Sequence, residues 1–453
     1  MPSTGPVEPK VHFFDLSAAE FDAVAARWGW PKFRARQVRE WVYGRYVGDP
    51  ANMTNLSKGD RTTLADRVTF GSATVTRNSL SEDGTRKLLL TWEAAEKDEG
   101  GRLKDERAGE GLAPSEPLAE QGGRVGLQVL GTTPTAAARV VAQAECVMIP
   151  DGDRRTACVS SQVGCPVGCT FCASGIGGVK GNLTAGQIVE QIWWLNVLMS
   201  EGKKDEGGRM KDEGAAQRPP SASPLQRAGI KGGTKAGTAP ANSSKQSTLD
   251  RISNVVFMGM GEPMSNYASV MKAIRILHEA EGFNIGARKI TISTVGVPPK
   301  MRELAGEDLP INLAISLHAP TEPLRKQLIP WANHFALPDI LDAARFYFDK
   351  TGREITLEYI LLAGVNDRPE HAKQLARVCQ TMRANVNLIR YNEVEGMPFK
   401  RPKSADVVAF QEILRRAGVN AHVRKSRGRD IDAACGQLRR KENAARGVGA
   451  SAG

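Results

Sequence analysis

The stretch CVSSQVGCPVGCTFCASG occupies residues 158–175, and at its centre stand Cys165, Cys169 and Cys172. The run Thr156–Ser161 reads as a strand, so the three thiols sit on a loop leaving a strand end. Three thiolates spaced as Cys-x3-Cys-x2-Cys can hold three irons of a [4Fe–4S] cube and leave the fourth open. An electron-transfer cluster usually takes four cysteines, whereas a substrate-binding cluster needs an open iron. Gly164, Gly168 and Gly175 let the backbone wrap closely, and its N–H groups can tune the sulfurs. Zinc fits less well: it usually takes four N or S ligands, often as two separated pairs, and no His lies nearby. Three cysteines within eight residues on a Gly-rich loop are also a poor core pattern.

Downstream, from about 150 to 440, strand and helix patterns alternate. Thr184 and Gln187 form a capping box that opens a helix with Ile188, Ile192, Leu195 and Met199 on one face. Strand-like runs follow at Asn254–Met258, Lys289–Ser293, Asn312–Ser316, Glu354–Leu361 and Val386–Ile389. Helical patterns at Pro338–Lys350 and Pro369–Met382 lie between them. This order predicts an α/β fold with a parallel sheet, a partial or full (β/α) barrel over 151–440. Chemistry in such folds sits at the C-terminal ends of the strands.

Upstream, residues 1–70 read as a small helical domain. Ser17 is a candidate N-cap with Glu20 three positions on. A second helix over Phe33–Tyr46 sets Val38, Trp41, Val42 and Arg45 at helical spacing. Its other face carries Arg34, Arg36 and Arg39, either a solvated face or one that contacts nucleic acid. On these residues alone the solvated face is the better reading. Residues 71–150 read as a strand-rich connector. The segments 94–125 and 201–248 are poor in aromatics and share a near-repeat, KDEGGRLKDE at 97–106 and KDEGGRMKDE at 204–213. They cannot bury enough apolar surface to offset ordering entropy and read as disordered insertions, as does the 441–453 tail.

The chain of 453 residues carries 61 Lys and Arg against 50 Asp and Glu, a net charge of +11. That excess suits a polyanionic partner but does not decide on one. The start lacks the apolar core of a signal peptide. The most apolar helical stretch, Ile188–Met199, contains Glu190, Gln191 and Asn196 and is too short to span a bilayer. No membrane association and a cytoplasmic location are therefore expected. The cysteines number seven, an odd count that argues against a disulfide scaffold.

With Phe171 before the last cysteine, the cluster loop resembles the signature of the radical S-adenosylmethionine superfamily. The motifs CVSSQVGC, TFCASG, NLTAGQI, VVFMGMGEPMSN, ISTVGV, ISLHAP and DIDAACGQL narrow this. From about Phe13 to Leu438, insertions aside, the chain resembles the RlmN family of dual-specificity RNA adenine-C2 methyltransferases. Its close relative, the Cfr family, acts on carbon 8.

The resemblance implies one [4Fe–4S] cluster on Cys165, Cys169 and Cys172, with S-adenosylmethionine on the open iron. Gly261 and Glu262 would line that site, with Ser293, Ser316, Leu317, His318 and Asn392. Read without the family, the Gly259-x-Gly261 pair is a turn and His318 a satisfied core or surface histidine. Cys435 matches the cysteine that is itself methylated. Cys158 matches the one that resolves the adduct and leaves a disulfide with Cys435. Glu145 matches the proton acceptor. Cys146 and Cys379 match nothing functional and read as small buried hydrophobes. The implied substrates are 23S rRNA and tRNA, and the implied electron donor is a flavodoxin or ferredoxin; a monomer is expected. The basic helices of 1–70, read with the resemblance as an RNA-binding accessory domain, and Lys400, Arg401, Lys403, Arg415, Arg416, Arg424 and Lys425 are candidate phosphate contacts. Two other readings stay open: a carbon-8 methyltransferase, and a non-catalytic metal-dependent RNA-binding protein.

Overall fold

Ser17 begins the first helix as its spacing to Glu20 predicts. Its hydroxyl accepts from the Glu20 amide at 3.2 Å, and the Glu20 carboxylate accepts from the Ser17 amide at 2.7 Å. The computed structural model describes residues 10–92, 142–201, 251–425 and 427–431. Cys435, the 441–453 tail and the insertions at 94–125 and 202–248 lie outside the described residues.

The N-terminal part comprises β1 (Val11–His12), α1 (Ala18–Arg27), α2 (Lys32–Arg39), α3 (Lys58–Arg67) and β2 (Val68–Thr69), with β1 and β2 paired in parallel. Phe13, Phe14, Phe21 and Tyr43 stack edge-on or tilted in its core. The basic face expected on the second helix is split. Arg39 is only 4% exposed and pairs with Asp22 and Glu281, each at 2.5 Å. Arg34 pairs with Asp60 at 3.2 Å, and Arg36 is exposed. Helical spacing fixed which side Arg39 occupies, but a neighbouring element covers that side.

The main body is one sheet of ten strands. Its antiparallel part is β3 (Ala73–Leu80), β4 (Arg86–Trp92) and β5 (Ala142–Asp151), the last pairing antiparallel with β6 (Arg154–Cys158). A separate hairpin, β7 (Gln162–Gly164) and β8 (Val179–Asn182), brackets the cysteine loop. Then α4 (Ala185–Glu201), β9 (Asn254–Phe257), α5 (Tyr267–His278), β10 (Ile290–Thr294), α6 (Pro298–Ala305) and β11 (Asn312–Ser316) follow. After α7 (Glu322–Leu328) and α8 (Leu337–Thr351) come β12 (Ile355–Leu361), α9 (Pro369–Gln380), β13 (Ala384–Arg390), α10 (Ser404–Arg416) and β14 (Ala421–Val423). From β6 through β9 to β14 every neighbouring pair is parallel. Parallel neighbours need crossovers, which the helices supply.

The ladder runs β14-β13-β12-β11-β10-β9-β6-β5-β4-β3 and does not close on itself, so the barrel is partial. Each expected strand is present, its ends shifted by at most a few residues; β14 and the β7–β8 hairpin are additions. One face of the central strands is apolar: Ile290, Ile292, Leu313, Ile315, Leu357 and Leu388 alternate along their strands and are fully buried, while the other face carries Ser293, Ser316 and Glu358. Each such apolar side chain contributes about 1.5–3 kcal/mol by leaving water. Truncating one, for example Ile292→Ala, costs about 2–5 kcal/mol because a cavity remains.

Candidate active site at the strand ends

Every described site residue but Glu145 lies at or just beyond a strand's C-terminal end or on the cysteine loop. Gly164, at φ +83°, turns the chain into that loop, where a Cβ would stand 2.1 Å from the Gly178 carbonyl. Only glycine fits so close a crossing. The Cys165 amide then donates to Gly178 O at 3.3 Å, and the Cys172 amide to Cys169 O at 3.1 Å. Burial pushes the Cys165 thiol up to about 12 and Cys169 well above its ordinary value, and the neighbouring cysteines add to both shifts. The three thiols, each half-buried, therefore lie within electrostatic reach of one another.

Among the described residues, no three His, Cys, Asp or Glu side chains converge on a single-ion position. A single zinc would need its ligands at about 2.3 Å, whereas a cube takes one thiolate per iron and spreads them. Arg325 strengthens the fit to a cluster. This guanidinium on α7 is fully buried, donates to Val295 O and leaves its Nε without a hydrogen-bond partner. Its charge bears on Cys169. A buried cation needs a nearby anion, and a thiolate-bound cluster is one.

Beside the loop, β9 leads into Gly259 and Gly261. A Cβ on Gly259 would meet Val159 O at 2.6 Å, and Gly261 has φ +106°. The Glu262 carboxylate is buried. One oxygen accepts from the Met264 amide at 3.0 Å, the other from the Val295 amide at 2.9 Å. Its side chain thus ties the β9 and β10 loops together, and burial still leaves its pKa raised. Ser293 and Ser316 face each other across β10 and β11, with their hydroxyls 3.3 Å apart.

His318, after the buried Leu317, takes φ +58°, a conformation costing roughly 1–3 kcal/mol for a non-glycine residue. Three bonds hold it there. Its amide donates to Glu358 O, its Nδ1 accepts from the Ile360 amide at 3.1 Å, and its carbonyl accepts from Asn366 Nδ2 at 2.8 Å. Burial, with Arg325 nearby, drives its pKa down to about 3, so the ring is neutral. It stands edge-on to Phe171, ring centroids 5.2 Å apart.

A cavity of about 250 Å³ opens beside these elements, although Gly261, Glu262, Ser293, Ser316, Leu317 and His318 do not line it. Cys158, Phe171, Cys172 and Asn392 line it, with Arg424 and Lys425 among its basic residues. Asn392 accepts from Arg401 at 2.7 Å. Glu145 is not in the lining. It sits on β5 two residues before the lining residue Val147, hence on the same face, and pairs with Lys87 at 2.8 Å. Cys146, on the opposite face, and Cys379 are buried as expected. Among the described residues no two cysteines are joined in a disulfide; the expected partner of Cys158, Cys435, lies outside them.

Residues 11–69 match the family described as the ribosomal RNA large subunit methyltransferase N-terminal domain. A probable dual-specificity RNA methyltransferase RlmN of Symbiobacterium thermophilum is 39% identical over 428 residues, 94% of this chain and 90% of that one. The chain belongs to the RlmN family. A probable dual-specificity RNA methyltransferase RlmN of Rhodopirellula baltica is 35% identical over 97% of this chain and 92% of its own length. The fold agrees with that RlmN assignment. A crystal structure of a radical SAM methyltransferase from Sphaerobacter thermophilus superposes with a TM-score of 0.71. The two are 34% identical, with 94% of this chain and 98% of that one covered.

Two features of this RlmN-family site escaped the sequence reading. Lys87 stands in the run Lys87-Leu88-Leu89-Leu90, and a lone cation inside an apolar strand is a legible sign of a buried partner. Arg325 left no such sign on an otherwise ordinary polar helix.

Proposed function

We propose that this protein methylates carbon 2 of adenine in 23S rRNA and in tRNA, through a methyl group carried on Cys435. The observation that supports this most is the cavity shared by Cys158, the cluster cysteine Cys172 and Asn392 at parallel-strand ends, with basic residues around it. A thiol that lines a cavity beside the cysteine loop is what a resolving role needs.

When bound, the cluster and S-adenosylmethionine supply a 5′-deoxyadenosyl radical. Cys165, Cys169 and Cys172 hold the cluster, and Arg325 balances its charge. Gly261, Glu262, Ser293, Ser316, Leu317, His318 and Asn392 form the wall for S-adenosylmethionine, in which the neutral His318 adds no charge.

Carbon 2 lies between two ring nitrogens and is too electron-poor to attack a sulfonium methyl, whereas a thiolate attacks it readily. Cys435 therefore takes the methyl first, by displacement of S-adenosylhomocysteine. After the methyl loses a hydrogen atom, its carbon bonds to carbon 2. One electron would pass to the iron–sulfur cluster that the three cysteines would hold, and Glu145 accepts the carbon-2 proton, which restores the aromatic ring. Cys158 thiolate then attacks the Cys435 sulfur. The sulfur–carbon bond breaks with its electron pair passing onto the electron-poor ring, a disulfide forms, and the product methyl gains a proton. Arg424 and Lys425 are placed to meet phosphates of an unstacked nucleotide. No described helix is long and apolar enough to cross a membrane; a cytoplasmic monomer reduced by flavodoxin or ferredoxin completes the reading.

The test uses S-adenosylmethionine deuterated on its methyl group. Product with only two deuteriums on the new methyl is expected, since one is removed as an atom and the position is refilled from solvent. Cys435→Ala should keep the cluster and make no product. An active Cys435→Ala variant, or full retention of three deuteriums, overturns the reading; methyl found on carbon 8 reassigns the position.

A further inference from the structure

The chain beyond β14 does not stay at its own edge of the sheet. It crosses to the opposite edge and grips the turn between β3 and β4. The Gly428 amide donates to Asp83 Oδ2 at 3.1 Å. In return, Asp430 accepts from the Ser81 hydroxyl at 2.5 Å and from the Glu82 amide at 3.2 Å. Each side thus offers one carboxylate to the other. Arg427 adds a longer contact, 3.8 Å to Asp151 at the end of β5.

The turn is preshaped for this exchange. The Ser81 amide donates to Thr85 O at 2.8 Å, the Thr85 amide donates to Asp83 Oδ1 at 3.0 Å, and Gly84 takes φ +79°. Burial works against the Asp83 charge. Hydrogen bonds from Thr85, Gly428 and Ser81 outweigh it and hold the carboxyl down at about 2. Thr85 also lines the cavity, as do Arg424, Lys425 and Arg427. The bridging segment is therefore part of the cavity rim, where it spans the gap that the open sheet leaves.

We propose that the β3–β4 turn is a docking cradle for the C-terminal arm, in which Ser81, the Glu82 amide and Asp83 hold Gly428 and Asp430 and so fix where the chain bearing Cys435 leaves the cavity rim. These are positioning residues; none is placed against the reacting atoms. The functional consequence rests on the proposed role of Cys435, while the docking itself does not. Five residues carry the chain from Asp430 to Cys435, a span of at most about 17 Å. Without the cradle the nearest backbone anchor is Arg424, whose amide donates to Leu388 O at 2.9 Å, and the tether lengthens to at most about 39 Å. The volume open to Cys435 then grows by roughly an order of magnitude, and its effective concentration at the cavity falls in proportion.

The experiment compares the full-length, cluster-loaded protein with Asp430→Ala, Ser81→Ala and the double variant. Amide hydrogen exchange is read at Glu82 and Gly428. Single-turnover methyl transfer from Cys435 to RNA and RNA affinity are read alongside. In Asp430→Ala the Gly428 amide, seven residues before Cys435, still reaches Asp83, so faster exchange at Glu82 and roughly threefold slower transfer are expected, with RNA affinity held within about twofold. Ser81→Ala, which removes one hydroxyl from a buried position of the turn, should shift both readouts the same way. The double variant should be no worse than Asp430→Ala alone. Unchanged exchange at Glu82 in Asp430→Ala overturns the docking. Faster exchange with unchanged transfer overturns its positioning role. A wild-type protein whose Cys435 never carries a methyl removes the proposed function instead, and the exchange result still judges the cradle.

Discussion

Lys87 and Glu145 form an ion pair across β4 and β5, Nζ to Oε2 at 2.8 Å, and both side chains are closed off from solvent. Lys87 is in register with Val147, so Glu145 is its diagonal neighbour on the interior face of the sheet. Two charges removed from water are tolerable only together. The pair holds the carboxylate, an acceptor-only group, on the face that carries the cavity.

Removing one member should therefore cost far more than removing both. Lys87→Met is expected to destabilise the protein by about 3–5 kcal/mol. Lys87→Met with Glu145→Leu should recover most of that loss. Urea unfolding of the four proteins in the cycle measures the coupling. A single-variant cost below about 1 kcal/mol, typical of an exposed pair, would contradict the buried geometry.

Cys165, Cys169 and Cys172 each occupy one place on the half-buried loop. Alanine at any of the three should abolish both iron–sulfur absorbance and RNA methylation. Visible spectra after anaerobic reconstitution, with nucleoside mass spectrometry, decide the matter. Full activity in one such variant counts against the cluster assignment.

Cys158 shares the cavity with Cys172 and Asn392. Cys158→Ala should stall after carbon–carbon bond formation and leave RNA tied to the protein through a methylene bridge to Cys435. Denaturing gels and mass spectrometry of the nuclease-trimmed adduct would show it. Free turnover with no crosslinked species would remove the resolving role from Cys158.

Glu190 links α4 to the N-terminal part. Its buried carboxylate accepts from the Ala73 amide at 2.7 Å, the Ser72 hydroxyl at 2.9 Å and the Trp92 indole at 3.0 Å. Burial acts to raise its pKa, but contacts with His12, Ala73 and Trp92 outweigh burial and leave it below the ordinary value. A depressed folded pKa stabilises the protein above the unfolded value of about 4.3 and loses that contribution as pH falls through the folded one. Glu190→Gln should therefore lower thermal stability near neutral pH and flatten the acid limb below about pH 4.3. Melting curves from roughly pH 3 to 7 test this; parallel pH profiles for the two proteins would refute it.

Much of the site was legible because its signals are short. The cysteine spacing, the Ser17–Glu20 and Thr184–Gln187 caps and the alternation of strand and helix lie within a few residues of chain, where covalent geometry sets which groups can meet. Glycines at 164 and 261 belong to the same class, since their positive φ values follow from turns that local sequence dictates. His318 at φ +58° does not, because Glu358, Ile360 and Asn366 hold it there from another strand and loop.

The amino-acid sequence by itself therefore determined an α/β chain with a cluster loop at a strand end and candidate residues at the ends of the strands that follow. The tertiary structure alone decided which charges are buried and with whom. Arg39 looked like part of a surface stripe until Asp22 and Glu281 closed over it. Lys87 finds Glu145 only because β4 and β5 are neighbours, and Ser81 meets Asp430 across 349 positions of chain. Such partners depend on strand order and on the curl that brings the two edges of an open sheet to one cavity. No local pattern encodes them, because the free energy that pairs buried charges is set by their surroundings in space rather than by their neighbours along the chain.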